Sequence, residues 1–182
     1  MAGFSGFETI VLFAGGADKL SLTNANFAGV TGRTITITDS GKGSTVSAAA
    51  VVGADHIIVH AGIGADLLTG GTGSDVFFAG GKPTMTGGAG ANQFVFTAPG
   101  SNVIKDFQGS AANELVFRNS GFNLGLTGGS SAPEAADGGA GGDIVCRQQH
   151  RQLHQDEPAP RLDQPRHESP PPVNCSSSAD AY

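Results

Sequence analysis

Positive charge is scarce in this chain: ten lysines and arginines stand against sixteen aspartates and glutamates, a net charge of −6 over 182 residues. No basic stripe is left to track a phosphate backbone, so nucleic acid is excluded as the main partner. Long hydrophobic runs are missing as well. Nothing approaches the roughly 18 consecutive apolar residues of a membrane helix, and no basic stretch followed by an apolar one opens the chain. Neither a membrane span nor an ordinary signal peptide is expected. Cysteine is reduced to Cys146 and Cys175, with no C-x₂-C pair, which leaves the redox compartment open. Catalytic and nucleotide motifs are absent too. There is no H-E-x-x-H, no G-x-S-x-G and no phosphate loop, since Gly41-Lys42-Gly43-Ser44 lacks the upstream glycine such a loop needs. No enzyme activity is expected.

Glycine, by contrast, is abundant: 29 residues, far above the average share of about 7%, without the three-residue period of collagen. That composition calls for many tight turns. Between them lie short stretches of apolar and β-branched residues, at 8–13, 19–22, 34–38, 57–59, 76–78, 93–96 and 114–117, with no helical period. The run Thr34-Ile35-Thr36-Ile37-Thr38 alternates strictly, which puts both isoleucines on one face of a strand. The fold class expected is all-β.

Composition changes near residue 145. All 11 phenylalanines lie between Phe4 and Phe122 and the last glycine is Gly142, whereas residues 146–182 hold six of the nine prolines, three of the five histidines and the Ser176-Ser177-Ser178 run. So little apolar surface cannot offset the entropy of ordering, and the segment is expected to be a disordered tail. The change follows a complete glycine-rich unit, 138–145, which suggests a reading frame shifted at about residue 146. Cys146, His150, His154 and Cys175 could be drawn together as a zinc set, but chance is the better account in a proline-rich segment. His56 and His60 share one face of a strand by alternation and read as surface histidines.

A core of Gly-x-Asp-x-large apolar recurs as Gly16-Ala17-Asp18-Lys19-Leu20, Gly53-Ala54-Asp55-His56-Ile57, Gly64-Ala65-Asp66-Leu67-Leu68, Gly73-Ser74-Asp75-Val76-Phe77 and Gly141-Gly142-Asp143-Ile144-Val145, with Gly90-Ala91-Asn92-Gln93-Phe94 as an amide variant. Two copies, 61–69 and 70–78, are nearly full nonapeptides back to back, and a third, 87–95, follows one irregular unit. These tandem units resemble the haemolysin-type, or RTX, calcium-binding nonapeptide repeats. The resemblance is most specific over 61–95. Val103-Ile104-Lys105-Asp106-Phe107 resembles the strand that closes such arrays, and residues 16–59 resemble the Thr- and Asn-rich strands that accompany them.

The resemblance implies a right-handed parallel β-roll, or β-solenoid, of short strands and Gly/Asp turns, with two nonapeptides to a coil. It implies Ca²⁺ held between turns one such coil apart, by aspartate carboxylates and glycine carbonyls. Calcium takes six to eight oxygen ligands and accepts carbonyls as readily as carboxylates. The expected ligand positions are Gly62, Gly64, Asp66, Gly71, Gly73, Asp75, Gly88, Gly90 and Asn92. A fair site is centred on Asp75 with the turn at 87–92. A weaker one lies at Asp66, whose following turn, 79–84, has lost its aspartate. Asp18 and Asp55 read as plain turn residues and Asp143 as a half-site without a successor.

The organisation expected is thus Thr/Asn-rich strand repeats over 1–60, a calcium-binding roll with closing strands over 61–125, a glycine-rich linker with one isolated repeat over 126–145, and the tail over 146–182. Proteins of this class are secreted or cell-surface and fold on meeting millimolar calcium. The alternatives are a structural surface-layer or adhesin fragment, with a cell-surface or protein partner, or the accessory module of a secreted protease, lipase or polysaccharide-modifying enzyme.

Overall fold

A computed structural model describes residues 4–13, 15–109, 112–118, 122, 143–148 and 173–178, the last two stretches as backbone strands. Strands alternate between two sheets along the chain. Thr9–Leu12 (β1), Thr34–Asp39 (β3), His56–His60 (β5), Val76–Ala79 (β7), Gln93–Phe96 (β9) and Glu114–Phe117 (β11) lie side by side in the first sheet. Lys19–Thr23 (β2), Thr45–Ala50 (β4), Leu67–Thr69 (β6), Thr84–Thr86 (β8) and Val103–Ile104 (β10) form the second. Consecutive strands of the roll never pair with each other; each pairs, in parallel, with the next strand of its own sheet. The protein is an all-β parallel roll, as the sequence predicts.

Alternation builds the core. In β3 the burial repeats with period two and leaves Ile35 and Ile37 with no exposed surface, while β5 does the same for Ile57 and Val59. Register then stacks like on like from coil to coil. Ile10, Ile37, Val59, Phe77, Phe94 and Leu115 follow one another across the first sheet. Leu20, Val46, Leu68, Met85 and Ile104 do so across the second. Burying each such side chain contributes about 1.5–3 kcal/mol, and the Phe77 and Phe94 rings add a stacked contact at 5.5 Å between centroids. The opposite face of the first sheet carries the other residues of the alternation, among them His60 stacked on Phe78 at 4.4 Å.

The coils shorten along the chain as far as β9 and lengthen again beyond it, as the register partners show. Thr9 pairs with Thr36 and Thr34 with His56, steps well beyond two nonapeptides, whereas Ile58 pairs with Val76 and Val76 with Gln93, steps close to two. The two-nonapeptide coil therefore belongs to the stretch that shows the repeat most clearly. Longer coils before it have room for the 3₁₀ turns Asn24–Phe27 and Thr31–Arg33. β5, which ends at the expected boundary near residue 60, pairs with β3 before it and β7 after it, so the first sheet runs through that point without a break. The second sheet does the same, β4 pairing with β6.

Beyond β11, Asp143–Gln148 (β12) pairs with it antiparallel, and Val173–Ser178 (β13) pairs antiparallel with β12, Cys146 facing Cys175 in the register. These two strands fall within the stretch expected as linker and disordered tail. The remainder of residues 126–182, including His150, His154 and most of the segment expected to be out of frame, lies outside the described residues. Among the described residues no helix is long and apolar enough to cross a membrane.

Phe77→Ala is expected to cost about 3–5 kcal/mol in urea denaturation, because a coil fixed by register above and below cannot collapse into the cavity. His60→Ala, at an exposed position, is expected to cost under about 1 kcal/mol.

Candidate metal centre

Passing from the first sheet to the second, the chain turns along one edge of the roll; returning, it turns along the other. At both edges the strand spacing of about 4.8 Å continues into the turns, and glycine is what permits it. A Cβ on Gly62 would stand 2.6 Å from the Gly41 carbonyl, and one on Gly64 would strike the backbone of Lys42 and Gly43. On the other edge Gly71 and Gly73 lie against the carbonyls of Val51 and Asp55, and Gly88 and Gly90, both at positive φ, lie against those of Gly71 and Gly73. The six predicted glycines thus form columns in which each sits on the preceding coil.

On this second edge the side chains of Asp75, Asn92, Asn113 and Asp106 are occupied by backbone. Asp75 is 1% exposed; its Oδ1 accepts from the Ile57 amide at 2.8 Å and its Oδ2 from the Gly71 amide at 2.8 Å. Asn92 occupies the same place one coil later. Its Oδ1 accepts from the Asp75 amide at 3.0 Å, and its Nδ2 donates to Ala89 O at 3.1 Å. Asn113 repeats the pattern, Oδ1 accepting from the Asn92 amide at 3.0 Å and Nδ2 donating to Phe107 O at 2.8 Å. Asp106 takes the Gly87 and Gly88 amides, one on each oxygen, both at 2.8 Å.

Asp55 closes the turn before Ile57, whose amide belongs to this ladder, but its own carboxylate turns elsewhere. It accepts from Arg33 Nε at 2.8 Å and from Asn24 Nδ2 at 2.6 Å. Burial alone would raise its carboxyl, but the hydrogen bonds from Arg33 and Asn24 and the Arg33 charge outweigh it and hold the group below its ordinary value.

The first edge differs. Asp66, 1% exposed, accepts the Gly43 and Ser44 amides on Oδ1 at 3.1 and 2.9 Å, but Oδ2 has no partner. Neither has Ser44 Oγ, nor Oδ2 of Asp39, whose Oδ1 accepts from the Gly41 amide at 2.7 Å. These three oxygens belong to facing turns. Asp39 ends β3, Ser44 precedes β4, and Asp66 precedes β6, directly over Ser44 in the β4–β6 register. Gly41 opens a cradle beside them: a Cβ there would meet Asp39 Oδ1 and Ser44 Oγ at 2.9 Å and the Gly16 carbonyl at 3.1 Å. Burial pushes the Asp66 carboxyl up, and the Asp39 carboxylate beside it pushes it further, against the pull of the Ser44 and Gly43 amides.

Two buried carboxylates, a hydroxyl and a carbonyl, with three oxygens unsatisfied, constitute an oxygen-rich donor set suited to a hard cation. Among the described residues no group of three or more acidic, histidine or cysteine side chains is assembled, so any ion here would rely on backbone oxygen for the rest of its shell.

One further buried oxygen is orphaned, Oδ1 of Asn102. The register explains it. Val103 pairs with Thr84, which places Asn102 over Pro83 as Asp66 lies over Ser44. Residue 83 is a proline and has no amide hydrogen to give.

Of the nine predicted positions, Gly62, Gly64 and Asp66 therefore meet on the first edge, against residues 39–44. Gly71, Gly73, Asp75, Gly88, Gly90 and Asn92 meet on the second, where their polar side chains are tied to amides. Asp39 and Ser44 went unrecognised in the sequence. The available signal was Gly41-x-Gly43, which returns one coil later as Gly62-x-Gly64. Comparison of the chain with protein-family models, with curated proteins and with solved structures yields no match.

Asp75→Asn is expected to keep the fold and the Ile57 rung but to lose about 1–3 kcal/mol, since an amide Nδ2 cannot accept from the Gly71 amide. Asp75→Ala leaves the Ile57 and Gly71 amides buried and unpaired, at about 1–3 kcal/mol each at most. Burial raises the Asp75 carboxyl against its amide partners and the His56 charge. A carboxyl raised by folding binds its proton more tightly in the native state, so its contribution to stability is present in acid and is lost as pH climbs from the ordinary 3.8 through the raised value. Asp75→Asn should flatten that part of the stability profile.

Arg33 is the one non-glycine residue described at positive φ, 58°. Relief of strain alone would make Arg33→Gly stabilising by about 0.5–1 kcal/mol. Because the guanidinium holds Asp55, thermal denaturation is expected to show a loss instead.

Proposed function

We propose that the protein binds calcium between successive coils, as a short member of the haemolysin-type repeat class, with its principal ion on the first edge at Asp39, Ser44 and Asp66. The observation that carries this reading is the set of three buried oxygens without partners on facing turns. Leaving such groups dry and unpaired costs several kcal/mol, which a bound cation offsets. Coils close to two nonapeptides long through the tandem repeats support the family reading, as does the stacking of glycine on glycine from turn to turn. In this reading Asp39 Oδ2 and Asp66 Oδ2 supply charge, Ser44 Oγ a neutral ligand, and the Gly16 carbonyl a backbone ligand beside the Gly41 cradle.

With only two carboxylates the affinity belongs at the weak, extracellular end of the calcium range, roughly 10⁻⁴–10⁻³ M. That matches a secreted or cell-surface protein, where calcium is millimolar, and the ion's work is structural rather than catalytic.

Calorimetric titration of calcium into the full chain, with magnesium as control, tests the reading. Asp66→Asn and Asp39→Asn are each expected to weaken binding roughly tenfold or more, because each removes half the site's charge. Gly41→Ala should weaken it by filling the cradle, and Asp75→Asn should leave it nearly unchanged. Absence of calcium uptake by the folded parent, or loss through Asp75→Asn alone, would refute the assignment.

A further inference from the structure

All four buried side-chain oxygens that lack a partner among the described residues lie on the first edge of the roll: those of Asp39, Ser44, Asp66 and Asn102. None lies on the second. There the Oδ1 atoms of Asp75, Asn92 and Asn113 each accept an amide of the coil before, three successive rungs of one ladder. Asp106 closes the ladder on the Gly87 and Gly88 amides. Ahead of it, the charge of Asp55 is met by a cation that belongs to the chain, the Arg33 guanidinium.

From this asymmetry we infer that the two edges of the roll have separate roles: calcium acts on the first edge alone, and the second is a metal-free latch that holds successive coils in register without any ion. The inference rests on the calcium reading for the first edge, but its second half stands independently of it. It departs from the expectation that the repeats fold only when calcium arrives.

The chemistry of the rungs supports the division. An ion on the second edge would need carboxylates, yet two of the three rungs are asparagines, neutral and 0% exposed. Their amide nitrogens donate to nearby carbonyls, Ala89 O and Phe107 O, which are the oxygens a cation would otherwise recruit. The carboxylates of this edge are taken too: Asp75 and Asp106 each have both oxygens on amides, and Asp55 is met by Arg33 and Asn24. Placing a cation there would trade satisfied hydrogen bonds for ligands, whereas on the first edge it would satisfy oxygens that have nothing. Each rung also spans two coils, so the ladder fixes the same register that an intercoil ion would fix.

The test is residue-resolved hydrogen exchange by NMR on the full chain, in excess EGTA and then in calcium at roughly 10 mM, about ten times the upper end of the weak-site range. Amides of Ile57, Gly71, Asp75 and Asn92 are expected to be protected equally in both conditions, while those of Gly41, Gly43 and Ser44 slow at least tenfold with calcium. Collapse of second-edge protection in EGTA, or slowing of second-edge amides by calcium, overturns the inference. If protection is unchanged at both edges and the chain is folded throughout, the latch stands and it is the calcium reading that fails.

A converse variant checks the cause. Asn92→Asp puts a second buried carboxylate beside Asp75 and removes the Nδ2 donor, so its melting temperature should fall in EGTA and be restored by calcium. Asn92→Leu, which breaks the rung without adding charge, should fall in both. If Asn92→Asp is as stable as the parent without calcium, the rung is not what holds this edge.

Discussion

Successive coils approach each other as closely at the turns as they do in the sheets, and the rest of the structure follows from that constraint. A strand pair tolerates a spacing of about 4.8 Å because its side chains point away and its amides find carbonyls. A turn has neither advantage by default. Here Gly62, Gly64, Gly71, Gly73, Gly88 and Gly90 remove the side chains that would strike the coil before, and the residue closing each turn supplies the missing hydrogen-bond partner. Asp66, Asp75, Asn92 and Asn113 all do this with Oδ1 directed back at an amide of the preceding coil.

The same device leaves different remainders on the two edges. An asparagine that accepts with Oδ1 has an Nδ2 to satisfy, and a nearby carbonyl takes it. An aspartate has a second oxygen. At Asp75 that oxygen finds the Gly71 amide; at Asp66 it finds nothing, and the facing turn brings Asp39 and Ser44 with unpaired oxygens of their own. In the calcium reading proposed above, metal affinity is a by-product of the stacking geometry. Where the turn consumes both oxygens the edge is held by the chain itself, and where it does not, charge gathers in a dry place and calls for a cation.

Much of this was legible in the sequence. Alternation marked β3 and β5, and the tandem nonapeptides marked the length of the regular coil. Strand β4 was harder, because the alanines at 48–50 give little β signal. The early coils were harder still: Thr9 and its partner Thr36, like Thr34 and His56, stand more than two nonapeptides apart, so no fixed period reveals that these turns belong to the same roll. Asp39 escaped notice because its carboxylate precedes its glycines instead of following them, and Ser44 stands where the motif expects aspartate. Counting ligands along the sequence likewise favoured Asp75, whose neighbouring turn is the better copy. Only the folded arrangement reveals that the better copy is also the one whose oxygens are already occupied.

Anomalous diffraction from crystals grown with calcium, or soaked with a lanthanide in its place, tests the central claim most directly. One strong peak is expected between residues 39–44 and 61–66, within about 2.3–2.6 Å of Asp39 Oδ2 and Asp66 Oδ2, and none at the Asp75–Asn92 rung. A peak on the second edge with the first edge empty would contradict it.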